Sequence, residues 1–342
     1  MHDDLITTTR DVKIDLTRST EYDHLVNEEI EHYSAIEVTK DLVEGGIFTY
    51  DCWSFYFQYL ERTLFHTWFD QEVAVHANEI DRPRILSLGC GYGGHELSIA
   101  AKLRKPFELI AVDLNPKLFG EAERRVQDTR LDIEFIATDL NFISISPVSF
   151  DVIYAHASLH HILNLEHLFE QIHRGLKDNG RLIVLDIIGK NRVIFWKENV
   201  EFAAAVIKRM PLRYRSPLGK GLSFASMPLS RKRFFLRHLP FDPYSIISKY
   251  AEPAGQVGME GIRQEEIEAL MQQRFTPLKL FKYNAFMRMI CTSPYSGPRL
   301  HPAIRKDRKY LEKLIDLDNQ QIASGKLRPT EMFGVFKKTA GA

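Results

Sequence analysis

Apolar positions along the chain change their spacing several times, and each change marks an element. From Glu21 to Val43 they recur at helical spacing (Tyr22, Leu25, Val26, Ile30, Tyr33, Ile36), which predicts one or two helices after a loose arm at 1–20. Gly45-Gly46 breaks the pattern. Asp51 to Asn78 then reads as a helix with Asp51 as N-cap, loaded with rings: Trp53, Phe55, Tyr56, Phe57, Tyr59, Phe65, Trp68 and Phe69. Rings on nearly every face predict burial between two partners under a sheet domain. Trp53, Tyr56 and Phe57 are also candidates for the lining of a substrate pocket.

From Arg84 the period switches. Ile85 to Leu88 is a buried strand, followed by glycines at 89, 91, 93 and 94 and an amphipathic helix carrying Leu97, Ile99, Ala100 and Leu103. Strands two to five follow at 108–113, 133–136, 150–154 and 181–188, with a helix over 165–176 and a tight turn at Lys177-Asp-Asn-Gly180. Strands alternating with helices at short spacing predict a parallel sheet with helices on both faces. After Gly189 the alternation stops. A helix over 191–210 leads into a stretch rich in Pro, Gly and Ser. The pattern resumes with a helix over 263–274, a strand over 277–285, a helix over 307–323 and a strand over 332–338. The chain therefore divides into a helical, ring-rich extension (1–80), a nucleotide-binding core (81–189), an insertion (190–260) and the rest of the core (261–342). The strands number seven.

Composition narrows the class without naming an activity. Charges balance at 45 basic and 45 acidic residues. The distribution does not: acids dominate residues 1–80, and Lys and Arg dominate 190–255. Such asymmetry bears on association rather than on fold. Three cysteines (Cys52, Cys90, Cys291) show no metal-ligand spacing, which predicts reduced thiols in a cytoplasmic protein and no metal. No apolar run approaches the ~20 residues that span a bilayer. His2, Asp3 and Asp4 are unlike the basic start of a signal peptide, so no membrane association is expected.

The glycine turn between strand and helix is where an open α/β sheet holds a nucleotide. Asp113 ends strand two about twenty residues on, where a carboxylate accepts both hydroxyls of a ribose. Each such charge-assisted bond contributes about 1.5–3 kcal/mol. Gly89-x-Gly91-x-x-Gly94 also fits the dinucleotide fingerprint, so a nicotinamide-dependent oxidoreductase has to be weighed. Against it, the chain lacks a second nucleotide-binding half. It has instead a second acid, Asp139, at the end of strand three, placed to accept an adenine amino group.

Five stretches in this order carry a resemblance: Leu86-Ser-Leu-Gly-Cys-Gly-Tyr-Gly-Gly94, Ala111-Val-Asp-Leu-Asn-Pro116, Thr138-Asp-Leu-Asn141, Phe150-Asp-Val-Ile-Tyr-Ala-His-Ala-Ser-Leu-His-His-Ile162 and Leu176-Lys-Asp-Asn-Gly-Arg-Leu-Ile-Val184. The whole resembles the class I S-adenosylmethionine-dependent methyltransferases, over about residues 80–190 and the last two strands. The resemblance implies a three-layer, doubly wound, mostly parallel seven-stranded sheet with its last strand antiparallel, N-terminal helices, and a lid inserted after strand five. It implies S-adenosylmethionine as cofactor, with Gly89, Gly91 and Gly93 beside the methionine portion, Asp113 on the ribose, and Asp139 with Leu140 about the adenine. Ser87, Cys90, Leu114 and Ala155 complete the implied cofactor set. Ser87 departs from the pattern, because the family usually has an acid there near the cofactor's amino group.

Methyl transfer from a sulfonium is an in-line displacement that needs mostly proximity. A base is required only for a weakly acidic nucleophile. His160 and His161, then His156, all just after strand four, are the candidates. Arg231 and Arg233 in the basic insertion are candidate contacts for an anionic substrate, although most of the insertion's charge is expected to pair with the acidic N-terminal region. The expected activity is methylation of an oxygen or nitrogen on a small molecule such as a specialised metabolite or sugar-like compound, without nucleic acid and with self-association left open. The alternatives are C-methylation of an isoprenoid or other anionic hydrophobic substrate, a nicotinamide-dependent oxidoreductase, and a non-catalytic protein that binds S-adenosylmethionine.

Overall fold

The computed structural model describes residues 6–7, 12–14, 20–35, 50–129, 131–215, 247–251, 257–293 and 296–339. Two short strands, β1 (Ile6–Thr7) and β2 (Val12–Ile14), precede helix α1 (Thr20–Ser34). The ring-rich segment forms α2 (Asp51–Leu60), a π-helical stretch (Glu61–Phe65) and α3 (Phe69–Asn78). Then come β3 (Arg84–Leu88), α4 (Gly94–Ala100), β4 (Glu108–Asp113), α5 (Gly120–Thr129) and β5 (Ile133–Ala137). These are followed by β6 (Ile143–Ile145), β7 (Phe150–His156), α6 (Leu165–Gly175) and β8 (Leu176–Ile187). The chain continues through α7 (Lys197–Arg209), α8 (Leu212–Arg215), α9 (Ile267–Arg274) and β9 (Phe275–Tyr283). It closes with α10 (Met287–Cys291), α11 (Arg305–Ala323) and β10 (Glu331–Lys338).

Seven strands pair in the order β5-β4-β3-β7-β8-β10-β9. The first five run parallel, and β10 is antiparallel to both of its neighbours. This is the expected sheet, and it contains no second nucleotide-binding half. Because successive side chains point to opposite faces, each strand feeds two cores. Ile85, Leu109, Ala111, Val152, Tyr154 and Ile183 pack with the ring-rich helices and α11. Leu86, Leu88, Ile110, Val112, Ile153 and Val184 pack with α6 and α9. Strands buried on both faces read as continuous apolar runs, which is why they were visible in the sequence. No helix among the described residues is long and apolar enough to cross a membrane.

Several expected elements differ in detail. The helix expected over 51–78 is broken, with His66 in the left-handed region (φ 57°) and Trp68 extended. The break resolves the problem posed by rings on every face. The first half packs against α10 and α11, and the second half packs beneath α4, β7 and β8. The arm at 1–20 is not wholly loose, since β1, β2 and β6 form a small antiparallel sheet; strands of two or three residues are too short to show a period. The turn at 177–180 lies inside β8 as a bulge, where pairing with β7 steps from Phe150↔Leu176 to Val152↔Arg181. The helix expected from 191 starts at Lys197, after two left-handed residues, Arg192 and Val193. Arg231, Arg233 and most of the Pro/Gly-rich insertion lie outside the described residues.

Two glycines give a direct test of how tightly this frame is packed. A Cβ on Gly175, at the end of α6, would sit 2.3 Å from Ile145 Cγ2, whereas one on Gly120, at the start of α5, would meet nothing within 4 Å. In urea unfolding, Gly175→Ala is expected to destabilise by about 1–3 kcal/mol. Gly120→Ala is expected to be neutral or stabilising by up to about 1 kcal/mol.

Candidate active site

Leaving β3, the chain turns through Gly89 (φ +73°), where a Cβ would lie 2.4 Å from Ser158 Cβ in the loop after β7. Ser158 in turn donates its hydroxyl to the Leu88 carbonyl at 2.6 Å, locking the two strand ends together. Gly93 is the left-handed N-cap of α4, and a Cβ there would collide with Ala122 and Phe135. Gly93 is thus a packing glycine, absent from the cavity wall, while Gly89, Cys90 and Gly91 line a cavity of about 530 Å³ at the carboxyl edge of the sheet. That volume suits a small-molecule site, for which ~300–1,000 Å³ is usual.

Asp113 lines this cavity at the end of β4. Its carboxylate accepts the Gly91 N–H at 2.8 Å and the Asn115 N–H at 2.9 Å, so the acid also fixes the glycine turn. Burial pushes its carboxyl above the ordinary range, partly offset by those two bonds. Asp139 lines the cavity as well but is not a free acceptor. Both of its oxygens receive the Tyr22 hydroxyl of α1, at 2.9 and 2.8 Å, and one receives the Asn141 N–H at 3.0 Å. Leu114 and Leu140 flank these acids on the wall. Ala155 is fully buried in the sheet instead, and its neighbours Ala157 and Ser158 reach the cavity.

At Ser87 the acid missing from the strand is supplied from elsewhere. Ser87 is buried and donates to Glu96 Oε1 of α4 at 2.5 Å; Tyr154 donates to the same oxygen at 2.9 Å. Glu96 lines the cavity at 1% exposure, and its other oxygen, Oε2, is buried without a hydrogen-bond partner. Burial raises its carboxyl above the ordinary range. A buried acceptor without a donor costs about 1–3 kcal/mol, more when charged, so the position favours a ligand that brings a donor.

A second polar group comes from the ring-rich segment. Of that segment, Trp68 and Asp70 reach the cavity. Asp70 Oδ1 lies 2.7 Å from His95 Nδ1, and the His95 ring lies tilted at 36° against His156 of β7, centroids 3.8 Å apart; His156 also lines the cavity. Burial alone would raise the Asp70 carboxyl, but the bond and charge of His95 hold it below its usual value. His95 is raised by Asp70 against the opposing effect of burial. His156 is pushed well below the ordinary histidine value, first by burial and then by the neighbouring His95 charge. Trp53, Tyr56 and Phe57, expected on the pocket, instead pack among themselves and against Tyr283 in the core, with Tyr56 fully buried.

The two adjacent histidines are placed by carboxylates. Asp186, fully buried at the end of β8, accepts the Ser158 and Leu159 N–H groups at 3.0 and 2.8 Å and holds His160 Nδ1 at 2.6 Å. His160 Nε2 lies 3.5 Å from Glu260 Oε1. His161 Nδ1 is 2.6 Å from Glu29 Oε1, though without hydrogen-bond alignment, and its Nε2 is 3.3 Å from Glu260 Oε2. His160 is 4% exposed and off the cavity wall; His161 is on it. Burial would lower His160, but Asp186 and Glu260 raise it to about 10.

The cover over the cavity is α1 with the turn at 257–260. Glu29, Ile30, Tyr33 and Met259 line it. Glu29 accepts the Met259 N–H at 2.9 Å, and Tyr33 donates to Glu260 Oε2 at 2.9 Å. Of the insertion's described residues, Met259 alone lines this cavity, and three of its cations have partners outside the acidic N-terminal region. Arg213 pairs with Asp307, Lys197 with Glu201, and Arg192 bonds the Gly258 and Glu260 carbonyls.

A model of the methyltransferase domain family matches residues 85–180, the span from β3 into β8. Phosphoethanolamine N-methyltransferase 1 of Arabidopsis thaliana is 28% identical over 103 residues, 30% of this chain and 21% of its own length. Sterol 4-C-methyltransferase of Caenorhabditis elegans is 30% identical over 165 residues, 47% of each chain. The 27-O-demethylrifamycin SV methyltransferase of Amycolatopsis mediterranei (strain S699) is 25% identical over 210 residues, 59% of this chain and 71% of that one. The chain thus spans about a fifth and about half of the length of the first two. By its names alone this set contains an N-, a C- and an O-methyltransferase, so what is shared is the domain and not the acceptor atom. Over residues 85–180 the chain therefore carries a methyltransferase domain, set in a sheet of order 3-2-1-4-5-7-6 whose glycine turn borders the cavity.

Proposed function

We propose that this chain transfers the methyl group of S-adenosylmethionine to an oxygen or nitrogen of a small molecule, with His156 accepting the proton that the nucleophile loses. The observation that carries the reading is His156 itself. Its ring lies on the cavity wall, and burial together with the adjacent His95 keeps it unprotonated at neutral pH. It combines access to the cavity with a pKa pushed well below the ordinary histidine value. His160 is shut behind Asp186, and His161 is engaged by Glu29 and Glu260.

When bound, S-adenosylmethionine supplies a methyl already activated on a sulfonium. The chain's residues then bind, orient and exclude water. Asp113 takes the ribose hydroxyls. Glu96 takes the amino group through its unpartnered Oε2, doing from α4 what a strand-one acid does elsewhere in the family. Leu114 and Leu140 sandwich the adenine, whose amino group shares Asp139 with Tyr22. α1 closes the cavity. The acceptor is held so that its nucleophilic atom faces the methyl carbon in line with the breaking C–S bond, since proximity and alignment supply most of the acceleration. The cofactor would supply the methyl and keep the C–S electron pair on its sulfur, and the His156 ring would take the proton that the acceptor oxygen or nitrogen loses. Trp53, Tyr56 and Phe57 lie in the core, but Trp68 and Tyr33 line the cavity, so C-methylation stands as the second reading.

Calorimetry with S-adenosylhomocysteine and with NAD tests the cofactor; binding of NAD alone would sink the proposal. Asp113→Ala is expected to weaken S-adenosylhomocysteine at least tenfold, about 1.4 kcal/mol. An unchanged affinity removes Asp113 from the site.

Glu96→Gln keeps the side chain's shape but removes its charge. It is expected to weaken S-adenosylhomocysteine about tenfold while weakening a cofactor analogue lacking the amino group by less than threefold. Equal losses for the two ligands would place Glu96 in a purely structural role.

For the base, turnover should be level across pH 7–8 and fall only below the ordinary histidine value of 6.5, where His156 gains its proton. His156→Gln should cut kcat by about 10²–10⁴ with little change in cofactor affinity. Full turnover with the wild-type pH profile would mean that proximity alone suffices.

A further inference from the structure

We infer that His160, His161 and Glu260 form a binding site for a divalent transition-metal cation of the zinc type beside the cofactor cavity. Each residue offers one ligand atom, and the three atoms lie within 4.8 Å of one another. The inward nitrogens are both Nε2, at 3.5 and 3.3 Å from the two oxygens of the one Glu260 carboxylate. A direct charge-assisted N–H···O bond would shorten to about 2.7–2.9 Å. A tetrahedral cation with bonds of about 2.0–2.1 Å sets its ligands about 3.3–3.4 Å apart. The observed spacing matches the second arrangement.

The surroundings argue the same way. A metal-bound imidazole characteristically turns its outer nitrogen to a carboxylate, which fixes the tautomer and raises the ligand's basicity. Here His160 does so, with Nδ1 2.6 Å from Asp186, while His161 Nδ1 lies 2.6 Å from Glu29 without hydrogen-bond alignment. In a neutral ring with its proton on Nδ1, the inner Nε2 of His160 would present a lone pair toward Glu260. A lone pair facing a carboxylate is repulsive unless a cation stands between them. Tyr33 donates to Glu260 Oε2 at 2.9 Å, orienting the third ligand in turn. The cation-free alternative needs two imidazoliums whose rings sit 4.2 Å apart. Charge does not separate the cases, since two imidazoliums and one divalent cation with neutral rings each leave the group, with Asp186, Glu29 and Glu260, at the same net charge. Spacing does.

Two nitrogens and a carboxylate suit zinc and its first-row neighbours and not magnesium or calcium, which prefer all-oxygen shells. His161 and Glu29 line the cavity, so the site adjoins it. The inference is independent of the methyl-transfer proposal, since metal retention is read without turnover.

The test uses the full chain, stripped with a chelator and then titrated with cobalt(II) alone. We expect one equivalent bound, with the strong visible absorption of four-coordinate cobalt, displaced by an equivalent of zinc. Glu260→Gln and His161→Ala should each weaken cobalt at least a hundredfold, and Asp186→Asn by 10- to 100-fold. Circular dichroism establishes that each variant is folded; if one is not, the stoichiometry and spectrum of the wild type decide. Folded wild-type protein that binds no cobalt or zinc overturns the inference, leaving a cation-free ion network. Binding that survives in folded Glu260→Gln and His161→Ala overturns it equally.

Discussion

The carboxylate of Asp186 is the constraint on which the carboxyl edge of the sheet depends. It ends β8, is fully buried, and would be costly there without donors. Its donors are the backbone of Ser158 and Leu159 and the His160 ring, and in satisfying it they fix the loop after β7. That loop passes through a left-handed Ala157 and then bonds the end of β3 through the Ser158 hydroxyl. Three strand ends are thereby held in one arrangement. The glycine turn can approach Ser158 closely because the loop has no other place to go.

The same device recurs around the cavity, where each wall acid is tied by a donor from a different segment. Asp113 holds the glycine turn, Asp139 holds Tyr22, Asp70 holds His95 and Glu29 holds the Met259 amide. Glu96 is tied to Ser87 and Tyr154 through one oxygen and leaves the other unpartnered. Apolar packing builds the sheet and its two cores, while polar bonds from acids place the walls of the site.

The parts of this structure that could be read in the sequence are those written in local pattern. Strands buried on both faces appear as apolar runs, and an acid closing such a run, as Asp113 does, announces an edge position. Asp186 instead interrupts the apolar run Arg181-Leu-Ile-Val-Leu-Asp-Ile-Ile188, so the pattern reports it only as part of a strand. Glu96 was harder, because its relation to Ser87 spans a turn and nine residues. Its one local sign is an acid three places before the buried pair Ile99 and Ala100. The ring-rich segment misled because composition shows that rings are buried but not against what. Its two halves serve different partners, and the junction at His66 and Thr67 has no glycine or proline to announce it. Glu29 and Glu260 meet His161 from opposite ends of the chain, and no single-sequence pattern reports such a meeting.

The way α1 is attached has a further consequence for the enclosure it creates. Its apolar contact is a small cluster of Tyr22, Val26 and Met259 with a few partly buried neighbours, separate from the two main cores. The rest of its hold is a handful of hydrogen bonds, each contributing about 0.5–1.5 kcal/mol net. The sheet beneath is held by burial on both faces. Opening of the roof and unfolding of the floor are therefore separate events with separate free energies, and the first is the smaller. The segment that shuts the cavity is the one whose departure leaves every strand in register, so ligands can come and go without the sheet taking part.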